Sequence, residues 1–240
     1  RRTRDVDRFD AFYQAYITAL LGGVAVLVLA DGLGGTRATS SPGRLATSAL
    51  PVLGLVAAVV IGAGLRSGSR GGPLVIEAPE IRHVMLSSVP RRDALRGPAL
   101  RQLRFALGVA ATVGGVGGVL ATHRLPGPGG AWVAAGAACA VATVGLAVGS
   151  AWIAAGYRMR PAAATALAAA LVGLAGAELI GWVPFSPTHP MGAMGIAPLH
   201  LDPTLAAAPV LSVAVTAWGF LVVDGQSVER LAGRSVLVAQ

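Results

Sequence analysis

The chain has 240 residues, of which 54% are hydrophobic and 12% charged, and its mean hydropathy is +0.68. Since about a quarter of the residues of a soluble domain are charged, this chain has too little polar surface to form one. An intrinsically disordered chain and a secreted disulfide scaffold are also excluded, because the sequence is strongly apolar and has one cysteine, Cys139, inside an apolar segment. A polytopic membrane protein is the class that fits.

Apolar segments long enough to cross a bilayer, which takes about 20 residues per helix, recur along the whole chain. The predicted spans cover residues 12–30, 45–65, 105–122, 131–156, 162–183 and 205–223. None has the period-two alternation of a membrane β-strand. The sequence therefore predicts an all-α protein, with a single transmembrane domain of six helices over residues 1–240.

The arginines predict the orientation of these spans. All 19 basic residues are arginines, and 16 of them lie in the N-terminal tail, the 66–104 loop, the loop after the fourth span and the C-terminal tail. Because basic residues concentrate in cytoplasmic loops, both termini are expected in the cytoplasm. The lack of lysine, with abundant alanine, glycine and valine, is typical of a high-GC bacterial genome and predicts a bacterial plasma membrane.

A basic balance can also indicate nucleic-acid binding. Here the arginines lie between apolar segments, so anionic lipids of the inner leaflet are the expected partner and no nucleic acid is expected. Tryptophans are expected at both interfaces, Trp132 and Trp182 at the outer one and Trp152 and Trp218 at the inner one.

Small residues recur at a spacing of four, which lets transmembrane helices approach closely. The sets are Gly114 with Gly118, Gly145 with Gly149, and Gly173 with Ala177 and Gly181. A chain this rich in glycine and alanine also produces such spacings by chance, so both interpretations stay open.

The loop of residues 66–104 is the one long loop on the predicted cytoplasmic side. Its middle predicts a short amphipathic helix, with Glu77 and Glu80 in the first turn, where they suit the helix dipole. Pro90 ends this helix. A second amphipathic helix is predicted from Arg91 to Arg104, with its apolar side chains against the bilayer; these are Leu95, Ala99, Leu100 and Leu103. The loop is expected to dock a soluble protein; the alternative is that its arginines only fix the topology.

The predicted outer segment between spans five and six, residues 184–204, contains five prolines and no arginine. We expect it to pack onto the bundle as a re-entrant or interfacial segment. It also contains potential metal ligands, which are His189, Met191, Met194, His200 and Asp202. Their spacing matches no compact site, so no metal is expected.

Glu178 is the one carboxylate well within a predicted span. An ionisable residue at such a position is a functional candidate, here for a substrate path or a contact between helices. The alternative is that it reaches the surface or caps a neighbouring helix.

Sequence signatures of catalysis are absent from the chain. It has neither the GxxxxGK[ST] signature of a P-loop nor an HExxH zinc motif, and no histidine in another span can serve Ser150 as a base. No enzymatic activity, ATP hydrolysis or cofactor is therefore expected of this chain.

The layout as a whole resembles the membrane subunit, or permease, of an ABC-2-type transporter. That family has six spans, cytoplasmic termini, an ATPase-coupling helix between spans two and three, and re-entrant elements between spans five and six. The second-to-third loop follows the family's order of acidic residue, amphipathic helix, proline and basic residue, through Glu77, Glu80, Met85, Leu86, Pro90, Arg91 and Arg92. The family's acidic-basic-acidic run is replaced by residues 75–80, VIEAPE, which indicates a divergent branch.

The resemblance implies a division of labour. A separate P-loop ATPase in the cytoplasm would bind the coupling helix around Glu80 to Leu86, and two six-helix bundles would rock against each other. The second bundle would come from a homodimer or from the other half of a longer permease, which the first residue, Arg1, favours. The main alternative is a non-transport membrane scaffold or anchor; a small-solute carrier without ATP and an intramembrane enzyme are the others.

Overall fold

A computed structural model describes residues 42–70, 91–123 and 125–225 of the chain. This part is all-helical, with six α-helices. They are α1 (Pro42–Ser69), α2 (Arg91–Thr122), α3 (Gly129–Gly156), α4 (Pro161–Leu179), α5 (His189–Gly195) and α6 (Ala207–Val222). Short 3-10 turns, η1 (Pro203–Ala206) and η2 (Val223–Gly225), flank α6.

Five helices are long and apolar enough to cross a membrane. The candidate spans are Ser48–Ser69, Leu95–Thr122, Gly129–Gly156, Pro161–Leu179 and Pro203–Gly225. This confirms the prediction of an all-helical, multi-pass membrane protein for the described residues. The first predicted span, residues 12–30, lies outside them.

Helix α3 is the centre of the bundle. It packs against α1, α2 and α6 along its length, and against the short helix α5 near its beginning. Helix α4 packs mainly on α1. The largest core cluster joins α1, α3, α5 and α6 through Ala57, Ile61, Ala142, Leu146, Met191, Met194 and Ala208. The long segment after α4 therefore packs onto the bundle, as the sequence predicts.

Glycine lets the backbones of α2 and α3 meet at their crossing. A Cβ atom at Gly114 would lie 2.7 Å from the Ala140 Cβ and 2.8 Å from the Gly136 carbonyl carbon, closer than real atoms approach. Gly149 has the same role between α3 and α6, where a Cβ would lie 2.7 Å from the Thr216 Cα. The predicted close approach is confirmed at both pairs that include these glycines.

The third small-residue set makes no such close approach within the described residues. No heavy atom of the described residues lies within 4 Å of the place a Gly173 Cβ would take, and Gly181 lies beyond the end of α4. Gly181 has φ 77°, a left-handed conformation that ends the helix. The Trp182 N–H then donates to the Ala177 carbonyl at 2.8 Å, and the Gly181 N–H to that of Glu178 at 3.0 Å. Span five consequently stops at Leu179, four residues before its predicted end.

Helix α2 begins inside the predicted cytoplasmic loop and continues without interruption to Thr122. The prediction that Leu95 and Ala99 face the bilayer is wrong. Both are buried in a cluster with Trp152 of α3 and Val223 of η2. The apolar stripe of this segment therefore packs on protein, because α3 and η2 extend alongside it.

Two of the four tryptophans pack inside the bundle and two are exposed. Trp152 is fully buried, and Trp132 is buried with its indole N–H donating to the Pro126 carbonyl at 3.3 Å. Trp182 and Trp218 are exposed. The Trp218 indole N–H donates to the Tyr157 hydroxyl at 3.3 Å.

Candidate functional site

The predicted coupling residues fall largely outside the described part of the chain. This is the case for Glu77, Glu80, Met85, Leu86 and Pro90. Arg91 and Arg92 form the first turn of α2, and their side chains are likewise not among those described. The remaining candidate, Glu178, belongs to a cluster of polar side chains.

Glu178 lies in the last turn of α4, and its side chain is only 6% exposed. The left-handed turn at Gly181 sends the chain back across the helix end, which brings the following segment to this carboxylate. The Ser186 backbone N–H donates to Oε2 at 3.0 Å, and His189 Nδ1 contacts Oε1. Glu178 thus joins α4 to the beginning of α5.

His189, the first residue of α5, lies between two carboxylates. Its Nδ1 contacts Glu178, and its Nε2 lies 3.6 Å from Asp202 Oδ2. Nε2 is buried and has no hydrogen-bond partner among the described residues. The Phe185 ring packs edge-on against the imidazole, with centroids 4.8 Å apart.

Asp202 is held as a carboxylate by Thr204. The Thr204 backbone N–H donates to Oδ1 at 2.8 Å and the Thr204 hydroxyl donates to the same atom at 2.6 Å. These bonds, the hydroxyl's first, lower the pKa of Asp202 below its ordinary value. Asp202 is also the N-cap of η1, so this carboxylate sits at the entry to α6.

Helix α5 rests on the bundle by close packing. Its Gly192 lies against the backbone of Leu50 in α1, where a Cβ would clash with the carbonyl oxygen. From α3, the Cys139 thiol donates to the Met191 carbonyl at 3.2 Å. Met191 and Met194 are core residues. The cluster of Glu178, His189 and Asp202, called the His189 cluster below, therefore joins α4, α5 and the entry to α6.

The geometry of the His189 cluster limits its chemistry. The two carboxylates approach opposite nitrogens of one imidazole, whereas a metal site needs side chains that converge on one point. The described residues contain no group of three histidine, cysteine or acidic side chains placed to hold a metal ion. Within the same residues no hydroxyl bonds to Nε2, so the arrangement lacks a nucleophile. Histidine is the side-chain type that ordinarily gains and loses a proton near neutral pH, and here it lies between two carboxyl groups.

The opposite end of the bundle is defined by Trp152 and its neighbours. Trp152 packs on Phe220 of α6, with ring centroids 6.0 Å apart. The Arg96 guanidinium lies over the Phe220 ring, 5.4 Å from its centroid. Arg158, with φ 52°, ends α3 and donates from Nε to the Gly225 carbonyl at 3.3 Å. Every arginine whose side chain is described lies toward this end.

The sequence indicated Glu178 and His189 separately and did not predict that they meet. They are 11 residues apart and are joined only because Gly181 reverses the chain. The signal available in the sequence is a carboxylate in the last turn of a span, followed by a glycine and a proline-rich segment with polar residues. No family model, curated protein or solved structure matches this chain.

Proposed function

We propose that this chain is the membrane-spanning permease subunit of an ATP-binding-cassette transporter of the ABC-2 type, in a divergent branch. It moves a substrate across a bacterial plasma membrane with energy from a separate cytoplasmic P-loop ATPase and is not itself an enzyme. Both termini are cytoplasmic, and a second six-helix bundle completes the transporter. The cytoplasmic side is the Trp152 end, where the described arginines gather.

The observation that supports this proposal is the continuity of α2. The helix begins at Arg91, directly after the coupling-loop residues, and crosses to Thr122. A displacement of residues 77–90 would therefore act on α2 at Arg91, the next residue in the chain. A flexible tether between the loop and the span would instead absorb a displacement.

The first part of α2 is also fixed to the bundle. Pro98 lies inside the helix and cannot donate a backbone hydrogen bond, which is the usual cause of a kink. Leu95 and Ala99 lie on either side of it, and both are buried against Trp152 and Val223. A displacement of the loop is therefore transmitted to α3 and to the end of α6 together.

Helix α4 offers the surface for the second bundle. Among the long helices it packs mainly on α1, and its side chains Leu167 and Leu174 are exposed. Gly173 and Gly176 have open space where a Cβ would stand. An apolar face with small residues suits close contact with another transmembrane helix.

The alternative is a non-transport membrane scaffold or anchor that binds anionic lipid. It is favoured by the exposed arginines Arg101 and Arg104, since each basic residue near an anionic leaflet contributes about 1 kcal/mol of attraction. A scaffold needs no ATPase and tolerates changes at Met85 and Leu86.

Co-purification separates the two functions. The protein is expressed with its genomic neighbours, purified in mild detergent and analysed for a bound P-loop ATPase. We expect the native chain to retain the ATPase and the double variant Met85→Asp, Leu86→Asp to lose it. Leu201→Asp is the matched control, because this leucine is 77% exposed at the other end of the bundle. No ATPase, or one retained by the double variant, would favour the scaffold.

A further inference from the structure

We propose that His189 is a proton-binding site whose protonation closes a latch between α4, α5 and the entry to α6. In the neutral state one carboxylate is bound, that of Glu178. In the protonated state the imidazolium donates to two, Glu178 through Nδ1 and Asp202 through Nε2. The proposal goes beyond the proposed function and does not depend on it, because the latch lies within one bundle.

The separation of His189 Nε2 and Asp202 Oδ2 is the first observation behind the latch. At 3.6 Å the two atoms are just beyond hydrogen-bond distance. A proton on Nε2 turns two facing lone pairs into a charge-assisted hydrogen bond. Such bonds are about 2.7–2.9 Å long, so closure needs a shift of less than 1 Å.

Burial is the second observation. The His189 side chain is 9% exposed, and its Nε2 has no partner among the described residues. A buried polar atom without a partner is costly, and that cost is relieved by the proton. Asp202 can accept the hydrogen bond from the protonated Nε2, because two hydrogen bonds from Thr204 favour the ionised form of the Asp202 carboxyl group.

The other titratable groups around α5 do not compete for this role. Helix α4 contributes Glu178, and the segment before η1 contributes Asp202 and the exposed His200. Helix α3 contributes the Cys139 thiol, which donates a hydrogen bond to the Met191 backbone carbonyl. The described side chains of α1 near α5, and those of α6, carry no titratable group. Among the side-chain types in this set, histidine is the one that ordinarily changes charge near neutral pH.

Closure of the latch adds a polar contact between α5 and the entry to α6, which otherwise meet through packing. Helix α5 is held to α1 and α3 by core contacts, and to α4 by Glu178. The bond from Nε2 to Asp202 adds the N-cap of η1, and thus the beginning of α6. Under the orientation proposed above, the proton comes from the outer side of the membrane.

Hydrogen–deuterium exchange of the full chain in lipid nanodiscs, with no ATPase present, tests the latch. Exchange of α5 amides is compared at about pH 8 and about pH 5.5, with times scaled to the intrinsic exchange rate. We expect protection to rise about tenfold at the lower pH, equivalent to about 1.4 kcal/mol. Asp202→Asn, which keeps an N-capping side chain but removes the charge, is expected to abolish the rise.

His200→Gln is the matched control, because His200 is exposed and lies in the same loop. It should show the native rise, and amides in the middle of α3 should show none in any variant. The proposal is overturned if native α5 shows no rise, or if Asp202→Asn rises as much as the native chain. Thermal unfolding of Asp202→Asn at pH 8 checks that the variant is folded before the comparison is made.

Discussion

Replacing Gly114 by alanine should weaken the contact between α2 and α3. The added Cβ would lie 2.7 Å from the Ala140 Cβ and 2.8 Å from the carbonyl carbon of Gly136. Since one obstacle is backbone, it cannot rotate away, and overpacking of this kind costs about 1–3 kcal/mol. Alanine stabilises a helix by about 1 kcal/mol relative to glycine, which offsets part of that cost.

Gly117 supplies the matched control, because it lies one turn away in the same helix and has no neighbour within 4 Å among the described residues. Gly117→Ala should keep only the favourable helix term. The helix term is common to both variants, so they should differ in unfolding free energy by the overpacking cost of about 1–3 kcal/mol, with Gly114→Ala the less stable. The assay is unfolding in mixed detergent micelles, followed by tryptophan fluorescence. If Gly114→Ala is as stable as Gly117→Ala, the crossing of α2 and α3 described here is wrong.

Other substitutions test the two ends of the bundle. Glu178→Ala should lower the free energy of unfolding by about 3 kcal/mol, because it removes the acceptor for the Ser186 N–H and the contact with His189. Glu178→Gln keeps an acceptor and should lower it less, which thermal unfolding can measure. Leu95→Ala should lower the free energy of unfolding by about 2–4 kcal/mol, since Leu95 is only 5% exposed. Leu100→Ala should lower it by less than about 1 kcal/mol, because Leu100 is 37% exposed. Equal losses of stability would argue against the burial of Leu95. Asp202→Ala should cost about 1 kcal/mol at neutral pH. Because the pKa of Asp202 is lowered, the contribution of its carboxylate should persist above the usual aspartate pKa of about 3.9 and disappear as the pH falls through the lowered value; a stability difference that stays undiminished below the lowered pKa would contradict this.

The apolar spans were predictable because their length and composition are set by the bilayer rather than by neighbouring residues. The span of residues 131–156 corresponds to α3 from Gly129 to Gly156. Boundaries were less predictable where backbone conformation decides them. Gly181 reads as one more small residue in an apolar segment, yet its positive φ ends α4.

The partners of side chains could not be read from the sequence. An amphipathic stripe at Leu95 and Ala99 fits either lipid or protein, and only the extension of α3 beside it decides for protein. The His189 cluster was missed for a related reason. Glu178 and His189 are 11 residues apart, and their hydrogen bond depends on how the chain reverses between them. A periodic pattern of apolar residues does not indicate such a reversal.

A distance measurement between α2 and α4 is the most direct test of whether a bound ATPase moves the helices of this bundle. Spin labels are placed at exposed Arg101 and Leu167, in a Cys139→Ser background, and the chain is reconstituted in liposomes with its co-purified ATPase. The permease account predicts that a non-hydrolysable ATP analogue shifts the distance by several ångströms, and that Met85→Asp with Leu86→Asp abolishes the shift. An unchanged distance in the presence of bound ATPase and nucleotide would contradict the account.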